Sequence, residues 1–135
     1  MLKVLVVEDT LTFQLIVQRQ LAALGINSVE MTADGKAGLE LLRREPDVDV
    51  ILCDWHMVPM DGLAFCAAVQ TVPYLRGRHI PVIFMTSDNK LVDPVKRKRA
   101  LLPAQSLGIT DILIKPFNVN DLREVLTRCA GYVPY

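Results

Sequence analysis

The chain has 135 residues, 51% of them hydrophobic and 22% charged, with 15 basic and 15 acidic side chains and a formal net charge of zero. That length suits one domain with a core of its own. The balanced charge speaks against nonspecific nucleic-acid binding, which needs a basic excess, and no apolar stretch nears the roughly 20 residues of a membrane helix.

Val4-Leu5-Val6-Val7 is a first apolar run, ended by Glu8-Asp9. Phe13, Ile16, Val17, Leu21 and Leu24 then recur at helical spacing, and Gly25 supplies the stop. Ser28-Val29-Glu30-Met31 reads as a short second strand. Asp34 follows as the cap of a helix that carries Leu39, Leu41 and Leu42 and ends before Pro46. A third run, Val50-Ile51-Leu52-Cys53, stops at Asp54, and Asp61-Gly62 opens a helix through Cys66 and Val69 toward Pro73. Pro81 leads Val82-Ile83-Phe84-Met85, the end of a strand where proline is tolerated, and Thr86-Ser87 follows. Asp93-Pro94 is an N-cap and first-turn pair. Ile112-Leu113-Ile114 ends in Lys115-Pro116. Asn118 or Asn120 then caps a last helix with Leu122, Val125, Leu126 and Cys129 on one face. Five strand–helix units with no repeat or linker predict a single three-layer α/β domain over 1–135, with no output domain after the last helix.

Uninterrupted apolar runs read as strands buried on both faces, as in a parallel sheet. Residues just past the carboxyl ends of such strands gather on one edge, where open α/β sheets bind ligands. Glu8, Asp9, Asp54, Thr86 and Lys115 are therefore expected to meet. Each has an ordinary reading alone: Glu8-Asp9 as a helix cap, Thr86 as a turn hydroxyl, Lys115 as a surface lysine. Their joint placement at four strand ends favours a site. Asp61, beside Gly62, reads as a helix cap and Trp55 as packing beside the site. Cys53, Cys66 and Cys129 form neither a disulfide framework nor a CxxC pair, which suits buried thiols in a reducing cytoplasm. The Cys53–His56 spacing allows metal ligation, but no second such pair exists.

The pieces Val6-Val7-Glu8-Asp9, Asp54-Trp55-His56-Met57-Val58-Pro59-Met60-Asp61-Gly62, Thr86-Ser87 and Lys115-Pro116-Phe117 resemble the receiver domains of two-component response regulators, in the stand-alone chemotaxis style. The resemblance spans essentially the whole chain. It implies a flavodoxin-like (βα)5 fold with a five-stranded parallel sheet in the order 2-1-3-4-5, an order that the chemotaxis receiver itself illustrates. It further implies that Asp54 is a phosphoacceptor and that Mg2+ is held by Glu8, Asp9, Asp54 and the backbone carbonyl of His56. Lys115 and Thr86 would serve the phosphoryl group. His56, Ser87 and Asp88 would modulate its hydrolysis, and Thr86 with the residue at position 112 would form the switch. Magnesium, a hard ion that seeks oxygen ligands, suits crowded carboxylates. The implied partners are a sensor histidine kinase or histidine phosphotransfer protein and a downstream protein. The implied surface is the fourth helix, fifth strand and fifth helix, with homodimerisation there or through the first and fifth helices. A cis Lys115–Pro116 bond is also implied.

The chain departs from the family pattern at three places. Val58 stands where the family usually has the proline that here is Pro59. Ile112 replaces a customary aromatic and puts the threonine–aromatic coupling in question. The stretch between Thr86 and Gly108 is longer than usual by roughly two helical turns. It contains Lys96-Arg97-Lys98-Arg99, read as a solvated helix face before a docking or dimer surface, and Pro103, expected to kink or restart the helix. Two other readings compete with the receiver switch. A phosphohydrolase with an aspartate nucleophile usually has a second acid two residues on, where this chain has His56. A flavin-binding or purely structural module would want a glycine- and hydroxyl-rich phosphate loop after the first strand, where this chain has Glu8-Asp9.

Overall fold

Strands made only of branched and other apolar residues lose nothing by burial on both faces, so they occupy the middle of a sheet covered on two sides. The computed structural model, which describes residues 2–69, 71, 79–102 and 109–132, shows this arrangement. Five strands, β1 (Lys3–Val7), β2 (Ser28–Thr32), β3 (Val50–Asp54), β4 (Val82–Thr86) and β5 (Ile109–Ile114), alternate with five helices. The helices are α1 (Leu11–Ala23), α2 (Gly35–Arg44), α3 (Gly62–Val69), α4 (Pro94–Leu101) and α5 (Val119–Ala130). All pairings are parallel, and the strand order is β2-β1-β3-β4-β5. Every residue of β3 and β4 is buried.

Alternating side chains divide the sheet into two cores. Leu5, Val7, Ile51, Cys53, Phe84 and Ile112 face α2 and α3, while Val4, Val6, Leu52, Ile83, Met85 and Leu113 face α1 and α5. The expected caps form. Asp34 accepts from the Ala37 N–H and Asp93 from the Val95 N–H. Asn118, rather than Asn120, caps α5 in a reciprocal box with Asp121. Gly25 takes the left-handed conformation, φ 76°, just past α1.

One position of the α1 stripe differs from expectation. Ile16 is 42% exposed, whereas Val17 and Leu21 are fully buried. At 100° per residue Ile16 lies about 120° from the centre of the face set by Val17 and Leu21, so the sheet does not cover it. Among the cysteines, Cys53 and Cys66 are buried but Cys129 is only half-buried; all three are free thiols. On α4, Lys96, Lys98 and Arg99 are exposed, and only Arg97 folds back, its Nε donating to the Leu91 carbonyl. The helix breaks expected at Pro73 and Pro103, as well as Gly108, lie outside the described residues. Among the described residues no helix is long and apolar enough to cross a membrane.

Candidate functional site

Register brings the strand ends level. Val7 lies opposite Cys53, Asp54 opposite Met85, and Thr86 opposite Ile114. The ladder runs one residue further through Glu8 N–H to Thr32 O, Trp55 N–H to Met85 O, and Lys115 N–H to Thr86 O. The chemistry-bearing residues thus leave a rigid sheet, not loose loops.

Glu8, Asp9 and Asp54 each offer a carboxylate oxygen within 4.8 Å of the others. Glu8 is fully buried, Asp54 nearly so, and Asp9 exposed. Lys115 Nζ lies 2.5 Å from Glu8 Oε1 and 3.6 Å from Asp54 Oδ2. Glu8 Oε2 accepts from the Thr10 N–H at 3.2 Å, and Asp54 Oδ1 from the His56 N–H at 3.2 Å. Burial pushes the Glu8 carboxyl up to about 6, against the pull of Lys115. Three carboxylates facing one ammonium leave negative charge that a hard divalent ion would balance.

Thr86 is buried on β4, and its Oγ1 accepts from the Asp88 N–H at 3.1 Å, which leaves the hydroxyl proton to be donated elsewhere. Ser87 and Asp88 are exposed; Asp88 Oδ1 accepts from the Lys90 N–H and caps the 3-10 turn Asn89–Val92. His56 is exposed, its ring stacked on Trp55 with centroids 6.0 Å apart. Trp55 in turn packs on Phe84 at 5.1 Å. Ile112 is buried in the cluster that holds Phe84 and Leu91. Asp61 caps α3 through the Ala64 N–H. The Cys53–His56 spacing forms no metal cluster among the described residues: burial pushes the Cys53 thiol well above its ordinary range, and the histidine faces outward.

Several neighbours of the site were not legible as such. Gln14 Nε2 donates to the Glu8 carbonyl at 2.6 Å. The Phe13 ring lies under Lys115 Nζ, 4.3 Å from its centroid. Gly62 is packed so closely behind Asp54 that a Cβ would stand 3.0 Å from the Asp54 carbonyl oxygen and 2.8 Å from the Phe84 ring. The aromatic at position 13 gave only the signal of a core helix. The bonds at Val58–Pro59 and Lys115–Pro116 are both cis.

Comparison with known proteins agrees with this geometry. The response regulator receiver domain family matches residues 4–127. The chain is 30% identical over 130 residues to the chemotaxis protein CheY1 of Helicobacter pylori, covering 96% of this chain and 98% of that one. Among solved structures it is similar to the chemotaxis protein CheY4 of Vibrio cholerae, with TM-score 0.78, 30% identity, and 96% and 98% of the two chains covered. It is also similar to the receiver domain of the sensor histidine kinase PA1611 from Pseudomonas aeruginosa, with TM-score 0.77, 26% identity, and 97% and 98% covered. That structure has a magnesium ion coordinated in its active-site cleft. With the strand order, the acidic cluster and the family match in agreement, the chain belongs to the response regulator receiver domain family and has the fold of the CheY-type signalling switches.

Proposed function

We propose that Asp54 accepts a phosphoryl group from the phosphohistidine of a sensor kinase or phosphotransfer protein, and that the acyl phosphate switches the surface around α4, β5 and α5. The observation that carries this reading is the meeting of Asp54 with Glu8 and Asp9, all within 4.8 Å, beside Lys115 at 3.6 Å. An Asp54 carboxylate oxygen attacks phosphorus, the donor's P–N bond breaks, and its electron pair returns to the imidazole ring. Glu8, Asp9, Asp54 and the His56 backbone carbonyl would hold magnesium. Bound there, magnesium supplies positive charge that offsets the phosphoryl oxygens.

Lys115 turns from its carboxylates toward a phosphoryl oxygen, adding the charge that phosphoryl transfer most needs from a protein. The Thr86 hydroxyl donates to another oxygen. Hydrolysis returns the free carboxylate, with His56, Ser87 and Asp88 at the places where the attacking water would be tuned. Thr86 is tied to the 3-10 turn through Asp88, and the buried Leu91 of that turn packs in the same cluster as Ile112. A shift of Thr86 therefore reaches α4 through small apolar contacts instead of an aromatic side chain. A groove of about 560 Å³ lies beside this region, lined among others by Val92, Arg97, Ile114, Glu124 and Arg128. It is the proposed contact surface for a downstream protein. Homodimerisation, across this α4-β5-α5 surface or through the separate α1/α5 face, is the alternative output.

The test is intact-mass labelling with acetyl phosphate, with and without magnesium. A magnesium-dependent phosphoryl adduct in the natural protein, absent in Asp54→Asn, is the expected result. Folded protein that binds magnesium but takes up no label from acetyl phosphate or from a phosphorylated phosphotransfer domain would overturn the reading.

A further inference from the structure

Lys115 is held on three sides. Its side chain is only 14% exposed, with Nζ 2.5 Å from Glu8 Oε1, 3.6 Å from Asp54 Oδ2 and 4.3 Å from the centroid of the Phe13 ring. The ring is itself braced. Phe117 meets it edge-on, with centroids 5.5 Å apart and planes at 80°. The Phe117 carbonyl accepts a 2.8 Å hydrogen bond from Gln20 Nε2. Phe13 and Gln20 stand two turns apart on one face of α1. Ring and backbone thus tie α1 to the loop that carries the lysine.

We infer that Phe13 is a positioning residue that holds the Lys115 ammonium over Asp54 during phosphoryl transfer. The inference rests on the reading of Asp54 as the phosphoacceptor. The three neighbours of the ammonium behave differently when the reaction begins. Glu8 and Asp54 are the groups that a metal ion and the phosphoryl group would engage, so their hold on the lysine weakens as the site fills. The aromatic face keeps its attraction. It presents negative potential to a cation, yet it has no lone pair with which to bind a metal and no proton to give to a phosphoryl oxygen.

A lysine stem is flexible and its ammonium strongly hydrated. A wall that attracts the ammonium without capturing it restricts that freedom and keeps water from one side. Leucine in the same place would fill space but carry no ring quadrupole. A cation–ring contact at a partly desolvated site corresponds to roughly a three- to thirtyfold change in rate.

The experiment compares Phe13→Leu with Phe13→Tyr in acetyl phosphate labelling at saturating magnesium, with urea unfolding to confirm that each variant is folded. In parallel, NMR reads the Lys115 ε-methylene protons, which the ring current of Phe13 should shield in the natural protein, given Nζ 4.3 Å from the ring centroid. The expected result is labelling slowed roughly three- to thirtyfold by Phe13→Leu, with the shielding lost. Phe13→Tyr should keep most of both the rate and the shielding. If Phe13→Leu does not fold, Phe13→Met takes its place. Phe13→Leu labelling as fast as the natural protein would overturn the inference and leave Asp54 as phosphoacceptor. So would Phe13→Tyr labelling as slowly as Phe13→Leu, since packing would then be the whole effect. Natural protein that takes no label from any donor would overturn both readings together.

Discussion

Glu8 is the residue whose titration should be visible in the stability of the metal-free protein. Its side chain is wholly buried, and burial moves its carboxyl from 4.5 to about 6 even though Lys115 and the Thr10 N–H both favour the charged form. The folded chain therefore binds the Glu8 proton more tightly than the unfolded chain does. Below about pH 4.5 both states hold the proton and the contribution is fully present. As the pH rises through 6 the folded carboxyl must ionise in a buried place, and the contribution is lost. A displacement of about 1.5 pH at 1.36 kcal/mol each corresponds to ~2 kcal/mol.

Glu8→Gln keeps the shape and removes the titration. The difference in urea-unfolding free energy between the natural protein and Glu8→Gln isolates the Glu8 contribution from the other acids. Trp55, the one tryptophan of the chain, sits directly after Asp54 and reports the transition locally. Relative to Glu8→Gln, the natural protein should lose roughly 2 kcal/mol between pH 4.5 and 7. Magnesium, which would bind the ionised carboxylate of the folded chain, should shrink or abolish that loss. A difference that stays flat or grows with pH would refute the assignment, because Lys115 would then outweigh burial.

Two further substitutions test the packing that aims the site. Gly62→Ala puts a methyl group 2.8 Å from the Phe84 ring and 3.0 Å from the Asp54 carbonyl. It should cost about 1–3 kcal/mol of unfolding free energy and slow acetyl phosphate labelling; an unchanged urea midpoint would show that the loop yields freely. Tyr132→Phe removes the buried hydroxyl that donates to the Leu24 carbonyl at 2.6 Å. It should lower stability by about 1–2 kcal/mol while leaving the labelling rate unchanged, since that bond lies at the far end of α1.

The central strands β1, β3 and β4 were legible because each is a nearly pure apolar run, a pattern that a sheet covered on both faces satisfies. The helix starts were legible because Asp34, Asp93 and Asn118 each supply an oxygen to backbone N–H groups that have no partner within the helix. Ile16 was harder. Its spacing fits the apolar stripe, but the width of that stripe depends on how much of the helix the sheet reaches. Phe13 was read as core for the same reason, and nothing local marks a phenylalanine whose ring meets a lysine 102 positions later.

For the candidate site, residue types and strand-end positions alone put Glu8, Asp9, Asp54, Thr86 and Lys115 on one edge, because parallel strands deliver their carboxyl ends to the same side. Distances were decided only by the assembled sheet. Strand order sets β1 and β3 side by side and β5 beyond both, with β3 and β4 between it and β1, yet Lys115 still reaches Glu8 at 2.5 Å and Asp54 at 3.6 Å. A lysine side chain is long enough to answer to either carboxylate, and local sequence carries no record of which lies nearer. That choice depends on sheet twist, on the register at Thr86 and Ile114, and on the Phe13 ring beneath the ammonium. All three exist only when the chain is folded.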